Sequence, residues 1–150
     1  MKSYVFPLEA VRKVRRHRLD LCEQILAYVM GQAQDLDRQR VHLLSQREQQ
    51  LDELKAVSEE GIVDIDAAAT RRYYAGRLLS DIAQVEHQRG IVEQQMSLCR
   101  QAVVKAEQEL KVLDKIAEHR EEEYRQQRER IEQIEREETW QAIHQVLGGA

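Results

Sequence analysis

The chain has 150 residues, of which 33% are charged and only 5% are aromatic, and its formal net charge at pH 7 is −4. This composition is typical of long solvated helices and leaves few large apolar side chains to enclose a substrate pocket. We therefore expect a protein that binds or braces other molecules, and we expect no enzymatic activity.

The first predicted element is a helix over about residues 7–60, in which Pro7, the chain's one proline, occupies the first helical position. Apolar residues return along it at helical spacing: Leu8, Val11, Leu19, Cys22, Leu26, Val29, Ala33, Leu36, Leu43, Leu51, Leu54 and Val57. Three polar residues interrupt the pattern and predict a locally loose, hydrated stretch: Arg40, Arg47 and Gln50.

A short tip follows over residues 61–66. Gly61 is suited to end the first helix in a left-handed conformation, and Asp64 or Asp66 can cap a second helix over about residues 67–146. A connection this short makes the two helices antiparallel neighbours.

The second helix carries two apolar columns that step by seven residues, the pattern of a helix wound against another helix. One column contains Ile82, Met96, Val103, Leu110, Ala117 and Ile131. The other contains Val85, Val92, Cys99, Ala106, Leu113 and Ile134. The predicted fold is all-α: a single domain over residues 1–150, formed by a long two-helix antiparallel coiled-coil hairpin with unequal arms.

The second helix is predicted to overhang the first. Folding the chain about residue 63 places Leu8 near residue 118, which leaves residues 119–147 without an intramolecular partner. This overhang has its own apolar stripe: Tyr124, Ile131, Ile134, Trp140, Ile143 and Val146. The stripe is either a docking surface for another protein, a self-associating dimer seam, or a frayed helix supported by local ion pairs.

Aromatic residues cluster just after the tip. The heptad count places Leu78 in the seam and points Tyr73 and Arg77 outward beside Tyr74, and tyrosine and arginine are common at interface hot spots. Alternatively, the tyrosines cover the tip by packing on Ile62 and Ile65.

No motif for catalysis, nucleotide binding or metal binding is present in the sequence. No two of the five histidines lie three or four residues apart, so one helix face cannot present a pair to zinc. Cys22 and Cys99 fall on seam positions, and we assign them to packing as reduced thiols. We expect no cofactor.

Charge is distributed unevenly. Residues 1–20 hold six Lys or Arg against two acids, and residues 118–138 hold nine Glu against five Arg. Antiparallel folding favours mutual neutralisation, while the alternative is a nucleic-acid binder that uses five basic residues: Arg12, Lys13, Arg15, Arg16 and Arg18. The segment has no aromatic platform for bases, so we expect no nucleic-acid partner. We also expect a cytoplasmic protein without a signal peptide or direct membrane insertion.

Three segments resemble the FliJ (FliJ/YscO-like) family of flagellar type III export stalk proteins. The first is Tyr4-Val5-Phe6-Pro7-Leu8-Glu9-Ala10-Val11, followed by Arg15. The others are Gly61 with Tyr74 and Leu78, and the late segment with Leu110, Leu113, Arg120 and Tyr124.

The resemblance implies a stalk that binds the hexameric export ATPase, promotes its assembly and hydrolysis, and couples it to an export-gate membrane protein and export chaperones. Such a protein lies at the flagellar base, peripheral to the inner membrane, as a monomer or weak dimer.

The implied ATPase-facing residues are Phe6, Leu8, Val11, Arg15, Tyr124, Ile131 and Ile134. The candidate export-gate contact is Tyr73, Tyr74, Arg77 and Leu78. The alternatives are the equivalent stalk of a virulence type III injectisome and a generic homodimeric coiled-coil scaffold.

Overall fold

The computed structural model describes residues 3–59 and 64–149, and these residues form two α-helices and no β-strand. Helix α1 covers Glu9–Glu59 and helix α2 covers Ile65–Gly148, with 51 and 84 residues respectively. The prediction of an all-α hairpin with a longer second helix is confirmed. Gly61, Ile62 and the rest of the predicted tip up to residue 63 lie outside the described residues. That the chain is a single domain stays a prediction.

Helix α1 begins later than Pro7. The N–H of Glu9 donates to the carbonyl of Phe6 at 3.1 Å, and the N–H of Arg12 donates to the carbonyl of Leu8 at 2.9 Å. Leu8 thus accepts the first bond of α-helical spacing, and Pro7 lies in the tight turn before it. The prediction that Pro7 takes the first helical position was wrong, because a three-residue turn precedes the regular helix.

Asp64 caps helix α2. Its Oδ1 accepts hydrogen bonds from the backbone N–H of Asp66 at 3.1 Å and of Ala67 at 3.3 Å. Its carbonyl accepts the N–H of Ala68 at 3.0 Å. Of the two capping residues that the sequence left open, Asp64 therefore satisfies the free donors of the first turn.

The chain divides into two compact units, which we call the central unit (residues 21–103) and the terminal unit (residues 1–20 and 104–150). In the central unit, α1 and α2 run antiparallel around a small apolar core. The core contains Val29, Ala33 and Met96, with Val92 and Cys99 packed against it. Ion pairs span the two helices along this unit, and they join Glu53 to Arg71, Arg40 to Glu86, and Asp37 to Arg89.

In the terminal unit, the start of α1 packs antiparallel to α2. Arg15 contacts Glu109 at 2.7 Å and Arg12 contacts Asp114 at 3.7 Å. In these two pairs the residue numbers add to 124 and 126, as expected for a chain folded about residue 63. The predicted alignment of the arms is therefore confirmed here.

The predicted seam columns are buried or half-buried between Ile82 and Ala117 of α2. Five of their members expose less than a tenth of their surface: Ile82, Val85, Met96, Ala106 and Ala117. Cys22 and Cys99 are free thiols in half-buried positions, in agreement with a packing role. The columns thus form the helix–helix contact that their spacing predicts.

Candidate docking surfaces

The end of α2 presents apolar side chains to solvent. Ile131 and Ile134 continue the two seam columns, yet each is 53% exposed, whereas Ala117 of the same helix is 7% exposed. From residue 129 to residue 149 every side chain except Glu132 is exposed. Within the described part of the chain, the seam therefore continues beyond the point where its partner helix ends.

Local contacts organise this exposed segment. The ring of Trp140 stacks on that of His144, with centroids 4.5 Å apart and planes at 16°. Arg128 pairs with Glu132 at 3.3 Å, and the Nε of Arg136 donates to the backbone carbonyl of Glu132 at 3.3 Å. These contacts between successive turns support the exposed end of α2.

The chain before α1 packs on α2 through aromatic side chains. The rings of Tyr4 and Tyr124 lie with their centroids 5.1 Å apart, at an angle of 31°. Phe6 is buried, and the guanidinium carbon of Arg12 lies 5.8 Å from its ring centroid. Phe6 and Tyr124 thus contact their own chain. Sequence reasoning missed the role of Tyr4, because residues 3–8 have no helical period to predict where a side chain points.

The other predicted ATPase-facing residues differ in exposure. Leu8 is half-buried and Val11 is 43% exposed. A guanidinium nitrogen of Arg15 lies 2.7 Å from Oε2 of Glu109, and one of Arg18 lies 3.8 Å from the same oxygen. Phe6, Leu8, Val11, Arg15 and Tyr124 all belong to the terminal unit, as do the exposed Ile131 and Ile134.

Three arginines at the start of α1 are paired within the chain. Arg12 contacts Glu9 at 2.9 Å in addition to Asp114, while Arg15 and Arg18 share Glu109. These acids lie upstream of the acidic run at 118–138, which itself forms local pairs such as Arg125 with Glu122. The prediction that the acidic run neutralises the basic start was wrong for these three arginines, because Glu109 and Asp114 lie opposite them.

The aromatic cluster after the tip is exposed. Tyr73 and Tyr74 expose 64% and 50% of their surface and meet edge to face with ring centroids 5.8 Å apart. Ile65 is 76% exposed, so the tyrosines do not cover it. Leu78 is half-buried and Arg77 is exposed, as the heptad count predicts.

Polar residues interrupt the seam of the central unit. Arg40 donates to Glu86 at 2.9 Å, and Arg89 donates to Asp37 at 2.9 Å and to Glu93 at 2.7 Å. The hydrogen bonds to Glu93 and Asp37 raise the pKa of the Arg89 guanidinium above its ordinary value. Arg47 is half-buried, and its Nε has no hydrogen-bond partner within the described chain. The stretch predicted to be loose thus contains Arg40, which is paired, and Arg47, whose Nε lacks a hydrogen-bond partner.

Two kinds of site are missing from the part of the chain that the structure describes. No three His, Cys, Asp or Glu side chains come close enough together to hold a metal ion. Neither α1 nor α2 contains a stretch that is both long and apolar enough to cross a membrane.

Comparison with protein families identifies the chain. The family model described as "Flagellar FliJ protein" matches residues 3–144. The chain belongs to this family. It is accordingly a protein related to flagellar export, in a family of non-enzymatic components. Comparison with curated proteins gives no match, and neither does comparison with solved structures.

Proposed function

We propose that this chain is the coiled-coil stalk of a flagellar type III export apparatus. It binds the hexameric export ATPase, promotes assembly of the ring and ATP hydrolysis, and couples the ATPase to the export gate and export chaperones. The ATPase performs the chemistry, and no nucleotide-binding motif occurs in this sequence. It works in the cytoplasm, at the inner-membrane face of the flagellar base.

One observation carries the ATPase contact: Ile131 and Ile134 continue the seam with half of their surface exposed. Burying such side chains against a partner gains roughly 25 cal/mol for each Å² of apolar surface removed from water. A heptad column that ends without a partner helix is suited to pack against helices of another protein.

Residues before and at the start of α1 position the proposed ATPase-binding surface. Tyr4 lies on Tyr124 and Phe6 is buried, so these rings hold the chain before α1 against α2. We assign Phe6, Leu8 and Tyr124 to positioning the surface, while Val11 and the two isoleucines have area left to contact the ATPase. Arg15 contributes through its ion pair with Glu109.

For the export-gate contact, the support is the exposed pair Tyr73 and Tyr74 beside Arg77. Aromatic and arginine side chains are enriched at binding hot spots because they bury large areas with few flexible bonds. Leu78 lies in the seam and orients this group.

The test measures the hydrolysis rate and the hexamer fraction of the cognate export ATPase with and without the full chain. We expect both quantities to increase. The double substitution of Ile131→Asp and Ile134→Asp should abolish the increase while leaving helicity unchanged. Val112→Asp is the matched control, because Val112 is similarly exposed at 57% but lies outside the two seam columns.

Loss of stimulation by the control as well would contradict the assignment of the surface. No stimulation by the unaltered chain, with an ATPase that assembles under other conditions, would contradict the stalk function. A separate titration of the cytoplasmic part of the export gate tests Tyr73→Ala with Tyr74→Ala, and unchanged binding would remove these tyrosines from the gate contact.

A further inference from the structure

Arg47 is a seam arginine of the central unit that has no partner within the described residues 3–59 and 64–149. Its side chain is half-buried, and its buried Nε has no hydrogen-bond partner there. It forms no ion pair there either. A cation that is partly removed from water loses hydration, and it regains that loss only when a carboxylate or another acceptor pairs with it. An acceptor from another molecule would therefore bind favourably at Arg47.

The neighbouring seam arginine shows where such an acceptor belongs. Arg40 lies one heptad before Arg47 and pairs with Glu86 of α2 at 2.9 Å. Because the helices are antiparallel, one heptad forward along α1 lies opposite one heptad back along α2, so Arg47 faces position 79. That position holds Leu79, which is 51% exposed. Arg47 thus meets an apolar side chain where Arg40 meets a carboxylate.

Three leucines lie on this side of the seam. Arg89 contacts both Asp37 of α1 and Glu93 of α2, so the two carboxylates share a side. Heptad steps, which return a residue to the same side, lead from Asp37 to two leucines of α1 and from Glu93 to one of α2. These exposed leucines are Leu44, Leu51 and Leu79. Together with Arg47 they form what we call the arginine-leucine face.

The charges around the arginine-leucine face are mainly positive. Arg72 lies one heptad before Leu79, is exposed, and makes no ion pair within the part of the chain that the structure describes. Glu48 and Lys55 lie four residues after the two leucines of α1, on the adjoining surface. With Arg47, three cations therefore meet one carboxylate on this side. The face is complementary to a partner that combines carboxylates with apolar side chains.

We propose that the arginine-leucine face binds an acidic amphipathic helix of a partner protein. One carboxylate of that helix pairs with the guanidinium of Arg47, and its apolar residues cover the three leucines. Arginine suits this role, because its planar guanidinium can hold a carboxylate through two parallel hydrogen bonds. A basic partner would face three cations, and an uncharged partner would leave Arg47 without an acceptor.

A helix is the partner structure that fits the spacing of the face. Leu44 and Leu51 are seven residues apart, which is the repeat that a second helix lying along α1 can follow. The face is also separate from the proposed gate contact, because Tyr74 and Leu79 are five residues apart and so lie about 140° from each other around α2. The inference therefore goes beyond the proposed function and does not depend on it.

The experiment is an NMR titration of the isotope-labelled full chain with a synthetic peptide of three heptads. The peptide has leucine at its two seam positions and glutamate at the flanking positions, so like charges keep it from pairing with itself. We expect the side-chain Nε–H signal of Arg47 and the methyl signals of Leu44 and Leu79 to shift. The Nε–H signal of Arg40, which is already paired, should stay in place. Binding should weaken as salt is added.

Two variants test the arginine and the position opposite it. Arg47→Gln should weaken peptide binding about tenfold, the cost of one charge-assisted hydrogen bond. Leu79→Glu should weaken binding to a similar degree and also raise the melting temperature, because the new carboxylate can pair with Arg47 within the chain. Arg38→Gln is the control, because it removes the same charge from an exposed position of α1 outside the face, and it should leave binding unchanged.

The absence of any shift at Arg47 with millimolar peptide would overturn the proposal. So would full affinity of the Arg47→Gln variant for the peptide. Equal binding of a peptide with lysine in place of each glutamate would also overturn it, because the partner would then not be selected by its carboxylates. A shift of the Arg47 signal when the chain alone is concentrated would do the same, since a second copy would then occupy the face.

Discussion

Arg89 of α2 donates a hydrogen bond from its Nε to Oδ1 of Asp37 in α1, at 2.9 Å and 52 residues away along the chain. Arg40 of α1 makes the reciprocal bond to Glu86 of α2, also at 2.9 Å. Both arginines interrupt the apolar seam, and polar seam residues commonly fix the alignment of two helices at a cost in stability. These two pairs thus hold the central unit at one register.

Replacing both arginines should make the central unit more stable but its helix register less well defined. In Arg40→Leu with Arg89→Leu, we expect the melting temperature to rise by a few degrees, because leucine buries apolar surface in the seam. The distribution of distances between spin labels at positions 32 and 95 should broaden, because several alignments of the two helices become similar in energy. A lower melting temperature together with a narrow distance distribution would show that the ion pairs contribute net stability.

Three helical glycines offer a stabilising change. A Cβ added at Gly31, Gly76 or Gly90 would meet nothing within 4 Å. Each Gly→Ala substitution should increase the free energy of unfolding by about 0.5–1 kcal/mol, measured by urea unfolding. Gly149→Ala serves as the control, because Gly149 follows the end of α2 and its Cβ would lie 3.1 Å from the carbonyl of Gln145. An equal gain there would contradict a helix-based cause.

The cap of α2 can be tested by one substitution and its rescue. Asp64→Ala should reduce the free energy of unfolding by about 1 kcal/mol, because two backbone donors lose their acceptor. Asp64→Ser should restore most of this loss, since serine also caps helices. Equal losses in the two variants would indicate that the aspartate acts through something other than its cap.

Arg15 of α1 and Glu109 of α2 form an ion pair between the helices of the terminal unit, at 2.7 Å. Their side chains are about one-third exposed, so solvent screens much of the attraction. A double-mutant cycle with Arg15→Ala and Glu109→Ala should give a coupling free energy of about 0.5 kcal/mol that falls as salt is added. A coupling that is insensitive to salt would contradict an electrostatic origin.

Trp140 is the chain's one tryptophan and is 62% exposed. Its fluorescence should therefore have the red-shifted emission of a solvated indole in the isolated chain. Binding of the export ATPase to the end of α2 should shift the emission to shorter wavelength, because the ring loses water. Stimulated hydrolysis without any shift would place the ATPase contact away from Trp140.

The seam could be predicted from sequence because seven-residue spacing depends only on helix geometry. The prediction succeeded at Met96 and Ala106, and the short connection between the helices fixed their alignment. The stack of Tyr4 on Tyr124 could not be predicted, because it depends on how the chain bends before α1 begins.

The shallow groove between Gln32 of α1 and Ile91 of α2 could not be predicted from sequence, because it depends on which sides of the two helices coincide. The solvent exposure of Phe6 could not be predicted from sequence either. Its side chain is buried, although the resemblance places it toward the ATPase.

In each unit the two helices run antiparallel, so residue numbers increase along one helix as they decrease along the other. Asp37 pairs with Arg89 in the central unit, and Arg15 pairs with Glu109 in the terminal unit. One residue inserted into α1 would shift every pair between the insertion and the N-terminus, and would turn seam residues toward water. Where the two helices are paired, their lengths can therefore change during evolution by matched insertions or deletions of seven residues in each, which keep the seam residues facing each other.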